Sequence, residues 1–122
     1  MNTKSDRIKD VLNRFRSIST DIFGASVVTM DGFMVSSVTL SEIDDNLVGG
    51  MTAALLGVGE RIAKEMMNSK MHQVFVKSEK GYVICNNISD DTVLVSLVGS
   101  EAKLGLIFLE TRRILPELTH LV

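Results

Sequence analysis

The feature that most constrains this chain is the stretch 43–67, which has helical periodicity but carries apolar or small residues on both of its sides. One stripe at helical spacing consists of Leu47, Met51, Leu55, Val58, Ile62 and Met66. The other side consists of Val48, Gly49, Thr52, Ala53, Leu56 and Gly57. Its first charged residue is Glu60. A helix without a polar side has to be covered all round. The chain's own sheet can cover one side of this helix, and a second structural element has to cover the other side.

Small residues recur every four positions along this helix, at Gly49, Ala53 and Gly57. Such a row allows another backbone to approach closely. Because the stripe with Leu47 and Met51 already supplies a face for the sheet, we expect that stripe to pack inward. The small-residue row is then expected to contact the same helix of a second protomer. The alternative is a helix that packs tightly on its own sheet through these small residues.

Hydrophobic periodicity predicts two further helices and five strands around the central helix. The helices are predicted over 3–18 and 101–115, and the strands over 25–30, 33–40, 73–79, 82–88 and 92–98. Short connections between consecutive strands indicate a mainly antiparallel sheet with helices on both faces. The prediction is therefore an α/β fold of the α+β type in one domain, 1–122. Its order is helix-strand-strand-helix-strand-strand-strand-helix, around a five-stranded sheet.

Local signals predict how several of these elements begin, turn and end. Thr3 and Asp6 have the spacing of a capping box. The dipeptide Asp31-Gly32 between two strand patterns predicts a hairpin with a tight primed turn, because glycine accepts the positive φ that this turn needs. Pro116 is expected to break or kink the last helix. The strand over 92–98 is apolar on both faces and is predicted to be central, whereas 73–79 is predicted to be an edge strand.

Residues able to carry catalysis are few and scattered. His72 and His120 have no cysteine or carboxylate at ligand spacing, and Cys85 has no cationic neighbour in sequence that would activate its thiol. The clustered glycines 49, 50, 57 and 59 lie inside the predicted helix rather than in a phosphate-binding turn. Arg61 and the pair Arg112-Arg113 fit solvated helix faces. We therefore predict no catalytic residues, no cofactor and no metal site, and a chain that is not an enzyme.

Charge and composition argue against several classes of partner. The net charge is −2 and the cations form no stripe, which argues against nucleic acid. The single cysteine fits a reducing compartment. The polar N-terminal segment 1–11 lacks the apolar pattern of a signal peptide. The uncharged stretches of the chain are too short to span a bilayer. We expect a cytoplasmic protein that neither binds nucleic acid nor inserts into a membrane.

Taken together, four segments of the chain resemble the Roadblock/dynein light chain family, in particular its stand-alone bacterial and archaeal members. These are the hairpin 25–36, the small-residue-rich segment 49–56, the two strands around Gly81, and the closing segment 104–113. The resemblance implies an antiparallel sheet between the long second helix and the two terminal helices. It also implies a homodimer or heterodimer in which second helices pair and third strands meet edge to edge.

For function, the resemblance implies a protein that regulates or scaffolds a nucleotide-driven machine. We predict a non-enzymatic homodimeric regulator or scaffold of a small Ras-like GTPase, with GTPase activation as one possible role. One alternative is a structural adaptor in a larger assembly, without preference for a nucleotide state. Another is a small-molecule sensor, for which Asn86 and Asn87 on a mostly apolar strand are the one hint. The predicted dimer or partner interface comprises Val48, Gly49, Thr52, Ala53, Leu56, Gly57, Glu60, Gln73, Phe75 and Lys77.

Overall fold

The computed structural model describes residues 3–39 and 42–122. In chain order its elements are α1 (Lys4–Ser17), β1 (Ile22–Thr29), β2 (Met34–Thr39), α2 (Asp45–Met67), β3 (Gln73–Ser78), β4 (Gly81–Asn87), β5 (Thr92–Gly99) and α3 (Leu104–Leu121). The strands form one antiparallel sheet in the order β2-β1-β5-β4-β3. The predicted fold class and element order are confirmed.

The position of each strand in the sheet follows from its burial. β5 lies at the centre between β1 and β4, and seven of its eight residues are buried. β3 lies at one edge, pairs with β4 alone, and has no buried residue. Both placements confirm the sequence prediction, since a strand that is apolar on both faces needs cover on both sides.

The sheet carries a helical layer on each face. α1 and α3 pack on one face through fully buried side chains that include Phe15, Ile107 and Leu118. α2 packs on the other face over a smaller cluster that contains Val28, Leu56, Met71, Cys85, Val93 and Val95. The α1/α3 layer therefore closes its face more completely than α2 closes the other.

The hairpin between β1 and β2 has a different turn from the one predicted. Gly32 has φ of 97°, and the one non-glycine residue with positive φ among those described is Asn68. Asp31 therefore lacks the positive φ that a two-residue type I′ turn requires. The Gly32 N–H donates to the Thr29 carbonyl over 3.0 Å, and the Thr29 N–H donates to the Phe33 carbonyl over 2.8 Å. The loop is thus three residues long, 30–32, and the prediction of a primed turn was wrong.

The ends of the helices confirm one predicted signal and contradict another. The capping box at Thr3 and Asp6 is formed by reciprocal hydrogen bonds of 3.1 and 3.2 Å. α3 begins at Leu104, after the predicted start at 101, and continues through Pro116 to Leu121, so Pro116 does not break the helix. Pro116 has no N–H to donate to the carbonyl one helical turn before it, but Pro116 is exposed, so water can bond to that carbonyl instead. The fully buried side chain of Leu118 anchors the last turn of the helix.

Strand and helix starts also shift by a few residues. β1 begins at Ile22, before the predicted start at Ala25, and α2 begins after Asp44. The Asp44 carboxylate accepts a hydrogen bond from the Asn46 N–H over 2.8 Å and caps α2. The predicted end of β2 at Leu40 lies outside the described residues.

α2 meets the β1–β2 loop by direct backbone contact at Gly49. A Cβ atom added to Gly49 would overlap the carbonyl oxygen of Gly32, whereas one added to Gly105 in α3 would meet nothing within 4 Å. We expect Gly49→Ala to lower the free energy of unfolding by about 1–3 kcal/mol because the helix must move off the loop. We expect Gly105→Ala to leave it unchanged or raise it by up to about 1 kcal/mol. Urea unfolding at one protein concentration measures both, and equal effects would contradict the contact.

Cys85 in β4 is fully buried under α2, and this burial raises the pKa of its thiol to about 11. We expect the folded protein to react negligibly with a thiol reagent at mildly alkaline pH, and to react fully in urea. Because the unfolded thiol ionises near 9.0 and the folded one near 11, stability should also fall as the pH rises through that window. Rapid labelling without denaturant would contradict this placement.

Candidate protein interface

The rotation of α2 about its own axis decides which of its side chains reach a partner. Thr52 and Leu56 are 6% and 2% exposed, and Gly49 is buried against the loop. Leu47 and Met51 are instead 54% and 62% exposed. The prediction that the large stripe faces the sheet was therefore wrong. Gly49 and Thr52 face inward and let the helix backbone come close to the hairpin loop and the sheet, whereas Gly57 of the predicted small-residue row is exposed.

The exposed side of α2 carries a row of large apolar side chains, which we call the outer α2 strip. It consists of Leu47, Met51, Val58, Ile62 and Met66, each at least 50% exposed. At 1.5 Å per residue this row runs for about 30 Å along the helix. Scattered exposed apolar side chains are ordinary on a protein surface, but a continuous row of them marks an interaction site. The strip is therefore a candidate interface.

An apolar groove of about 350 Å³ extends the outer α2 strip towards the edge of the sheet. It is lined by Ile43, Leu47, Val48, Met51, Thr52, Leu55, Val76, Val83, Cys85, Val95 and Leu97. The groove exists because α2 packs against β1 and β2, which leaves the face of β3 and β4 incompletely covered. Val76 on β3 is accordingly 46% exposed. The strip, the groove and the edge strand form one continuous apolar surface.

The edge strand β3 borders this surface and leaves one side of its backbone without a strand partner in the described sheet. Gln73, Phe75 and Lys77 point to the face opposite α2 and are all exposed. The Phe75 ring contacts the Tyr82 ring edge-on at 6.3 Å between centroids, and the Lys77 ammonium lies 6.0 Å from the centre of the same ring. A free edge of this kind can accept a further strand.

The structure divides the predicted interface residues into three sets. Val48, Gly49, Thr52 and Leu56 face the chain's own sheet and hairpin. Ala53, Gly57 and Glu60 line a groove of about 410 Å³ on the other flank of α2. Gln73, Phe75 and Lys77 lie on the exposed edge strand. For the second and third sets, contact with a partner stays a prediction.

The sequence analysis missed the outer α2 strip, although its residues were recognised as one stripe. Side-chain size does not separate the two sides of α2, because small residues occur on both. A row of small residues also exists on the exposed side, at Gly50, Ala54 and Gly57. A Cβ atom at Gly50 or Gly57 would meet nothing within 4 Å.

Groups that could hold a metal ion or supply a reactive side chain were sought among the described residues of the chain. No group of three or more His, Cys, Asp or Glu side chains lies close enough to hold a metal ion in 3–39 and 42–122. Arg61 is exposed and forms an ion pair with Glu65 at 3.5 Å. In the same part of the chain, no helix is both long and apolar enough to cross a membrane.

Comparisons with known proteins agree with this architecture. Two proteins of Methanocaldococcus jannaschii, the uncharacterized proteins MJ0310 and MJ0714, are each 31% identical over 108 residues, which is 88% of this chain and 90% and 87% of theirs. The structure is similar to Myxococcus xanthus MglB, with a TM-score of 0.88 and 21% identity over 100% of this chain and 95% of that one. Thermus thermophilus gliding protein MglB gives a TM-score of 0.88 at 14% identity, over 99% and 92% of the two chains.

At these sequence identities, the similarity to the two MglB structures shows the fold alone. The family itself is established by a family model that covers most of this chain. The model for the Roadblock/LC7 domain matches residues 8–97, and the sequence resemblance is thereby confirmed. This chain belongs to the Roadblock/LC7 domain family.

Proposed function

We propose that this chain is one Roadblock-like domain that forms a homodimer in the cytoplasm and, without enzymatic activity of its own, regulates or scaffolds a small Ras-like GTPase. The observation that carries the proposal is the continuous apolar surface made by the outer α2 strip, the groove beside it and the free β3 edge. The partner class is supported by the family and by the likeness to MglB.

A two-fold axis beside β3 would cover this surface with a second copy of itself. Two β3 strands would pair edge to edge and join the two sheets. The α2 helices would then lie side by side over the grooves, so that Leu47, Met51 and Ile62 of each copy leave water. The exposed small-residue row at Gly50 and Gly57 supports a close approach of another backbone along the outward side of the helices.

The proposed regulation works through binding rather than through a donated catalytic group. Arg61, the one arginine of α2, is 79% exposed at its side chain and is held by Glu65. Activation of a GTPase can instead come from ordering the GTPase's own switch loops. The outer surface of the paired α2 helices is the proposed contact for the GTPase.

The dimer is tested by placing a charge in the outer α2 strip. Met51→Glu should weaken self-association at least about a hundredfold, since each dimer would lose two buried apolar side chains and bury two carboxylates. The fold should be retained because Met51 is 62% exposed. Sedimentation velocity measures the dissociation constant, and circular dichroism checks the fold.

Leu109→Glu is the matched control for this variant. Leu109 is 43% exposed but lies on α3, on the other face of the sheet. The Leu109→Glu substitution should therefore leave self-association unchanged. A Met51→Glu protein that associates as tightly as the Leu109→Glu protein would place the dimer contact away from the strip.

The GTPase partner is tested by passing native lysate over the immobilised protein, once with a non-hydrolysable GTP analogue and once with GDP. We expect a small Ras-like GTPase to be retained mainly with the analogue, because its switch loops are ordered by the γ-phosphate. A column carrying Met51→Glu should retain less of it. Equal retention with both nucleotides, or recovery of large assembly subunits instead, would contradict the regulator and favour the adaptor.

A further inference from the structure

A small pocket lies on the α1/α3 face of the sheet, away from the outer α2 strip. It has a volume of about 250 Å³ and opens between the middle of α3 and the beginning of β3. Its lining residues are His72, Gln73, Asn86, Phe108, Thr111, Arg112 and Leu115. The pocket is smaller than the sites that take drug-sized ligands, so an occupant has to be a small metabolite.

Two polar side chains in the pocket wall are buried without hydrogen-bond partners. Asn86 is 8% exposed and Thr111 is 2% exposed, and neither the Asn86 Oδ1 nor the Thr111 Oγ1 has a hydrogen-bond partner among the described residues. Thr119, two turns further along α3, shows the usual arrangement, since its hydroxyl donates to the Leu115 carbonyl over 2.8 Å. A buried polar group that stays unpaired destabilises the fold, so an apolar residue would serve packing better at position 111.

The same pocket presents a cation and an apolar wall. Arg112 forms no ion pair with any carboxylate in the described part of the chain, whereas its neighbour Arg113 is paired with Glu110 at 3.2 Å. None of the residues that line the pocket in the described part of the chain is acidic. Phe108 and Leu115 flank Thr111 by one helical turn on each side and supply apolar contact. A ligand that places an anionic group near Arg112 and a hydrogen-bond donor near Asn86 would complement these lining residues.

We infer that this pocket binds a small organic carboxylate that also carries a hydrogen-bond donor, such as a free amino acid or a 2-hydroxy acid. The carboxylate pairs with the Arg112 guanidinium, and the amino or hydroxyl group donates to the Asn86 Oδ1. Because both oxygens are buried in the free chain, binding requires the Thr111 hydroxyl and the Asn86 carboxamide to rotate about their side-chain bonds towards the occupant. The apolar part of the ligand packs against Phe108 and Leu115.

The experiment is a titration of the ¹⁵N-labelled full chain with free amino acids and 2-hydroxy acids at millimolar concentration, one at a time. We expect at least one to shift the amide resonances of Asn86 and Thr111 in a saturable way. Two analogues of that ligand should each bind at least about tenfold more weakly. In one the carboxylate is replaced by a carboxamide, and the other lacks the amino or hydroxyl group. If no compound shifts these resonances, water alone fills the pocket and the inference is wrong.

Two variants on α3 distinguish specific binding in the pocket from a general attraction of the carboxylate to positive charge on the helix. Arg112→Gln should weaken binding at least about tenfold, while Arg113→Gln should leave it unchanged because Arg113 does not line the pocket. Equal weakening by both would overturn the inference.

Thr111→Val separates ligand binding from a structural role. It should weaken binding about tenfold and leave the melting temperature of the empty protein unchanged or raised, since an unpaired hydroxyl is removed. A lowered melting temperature with unchanged binding would assign Thr111 a structural role and count against the site. Failure of this inference leaves the dimer and the GTPase proposal untouched, because the pocket lies on the other face of the sheet.

Discussion

The backbone contact between Gly49 in α2 and Gly32 in the β1–β2 loop sets the arrangement on which the rest of the structure depends. Residues two positions apart on a helix point about 200° away from each other. Once Gly49 faces the loop, Leu47 and Met51 on either side of it are turned to the outside. One close contact therefore decides that the large apolar stripe of α2 is the exposed one.

The two faces of the sheet differ in how far the chain covers them itself. α1 and α3 close one face with fully buried residues such as Ile8, Leu12 and Leu118. α2 alone covers the other face, lies towards β1 and β2, and leaves a groove beside β3 and β4. The proposed dimer follows from this difference, because the part of the sheet that α2 leaves uncovered is apolar and lies open. The proposed ligand pocket has a separate origin, since it lies where the middle of α3 passes over Asn86 of β4 and Gln73 of β3.

Much of the fold was predictable because its signals are local. The position of β5 followed from its apolar residues on both faces, and the α1 start followed from Thr3 and Asp6. Local signals failed where a distant residue outweighed them. Leu118, anchored in the core, carries α3 past Pro116, and the loop 30–32 adopts the length that joins β1 to β2 in their observed register.

The family, the element order, the antiparallel sheet and the need for a cover on both sides of α2 could all be predicted from the amino-acid sequence. These depend on periodicity and composition, which each segment carries within itself. Which side of α2 faces the sheet became clear from the folded structure, because both sides are apolar enough to be buried. The choice rests on the fit between Gly49 and Gly32, which are distant in sequence. The pocket likewise became visible only when Asn86 and Arg112, from separate elements, were brought to one place by the fold.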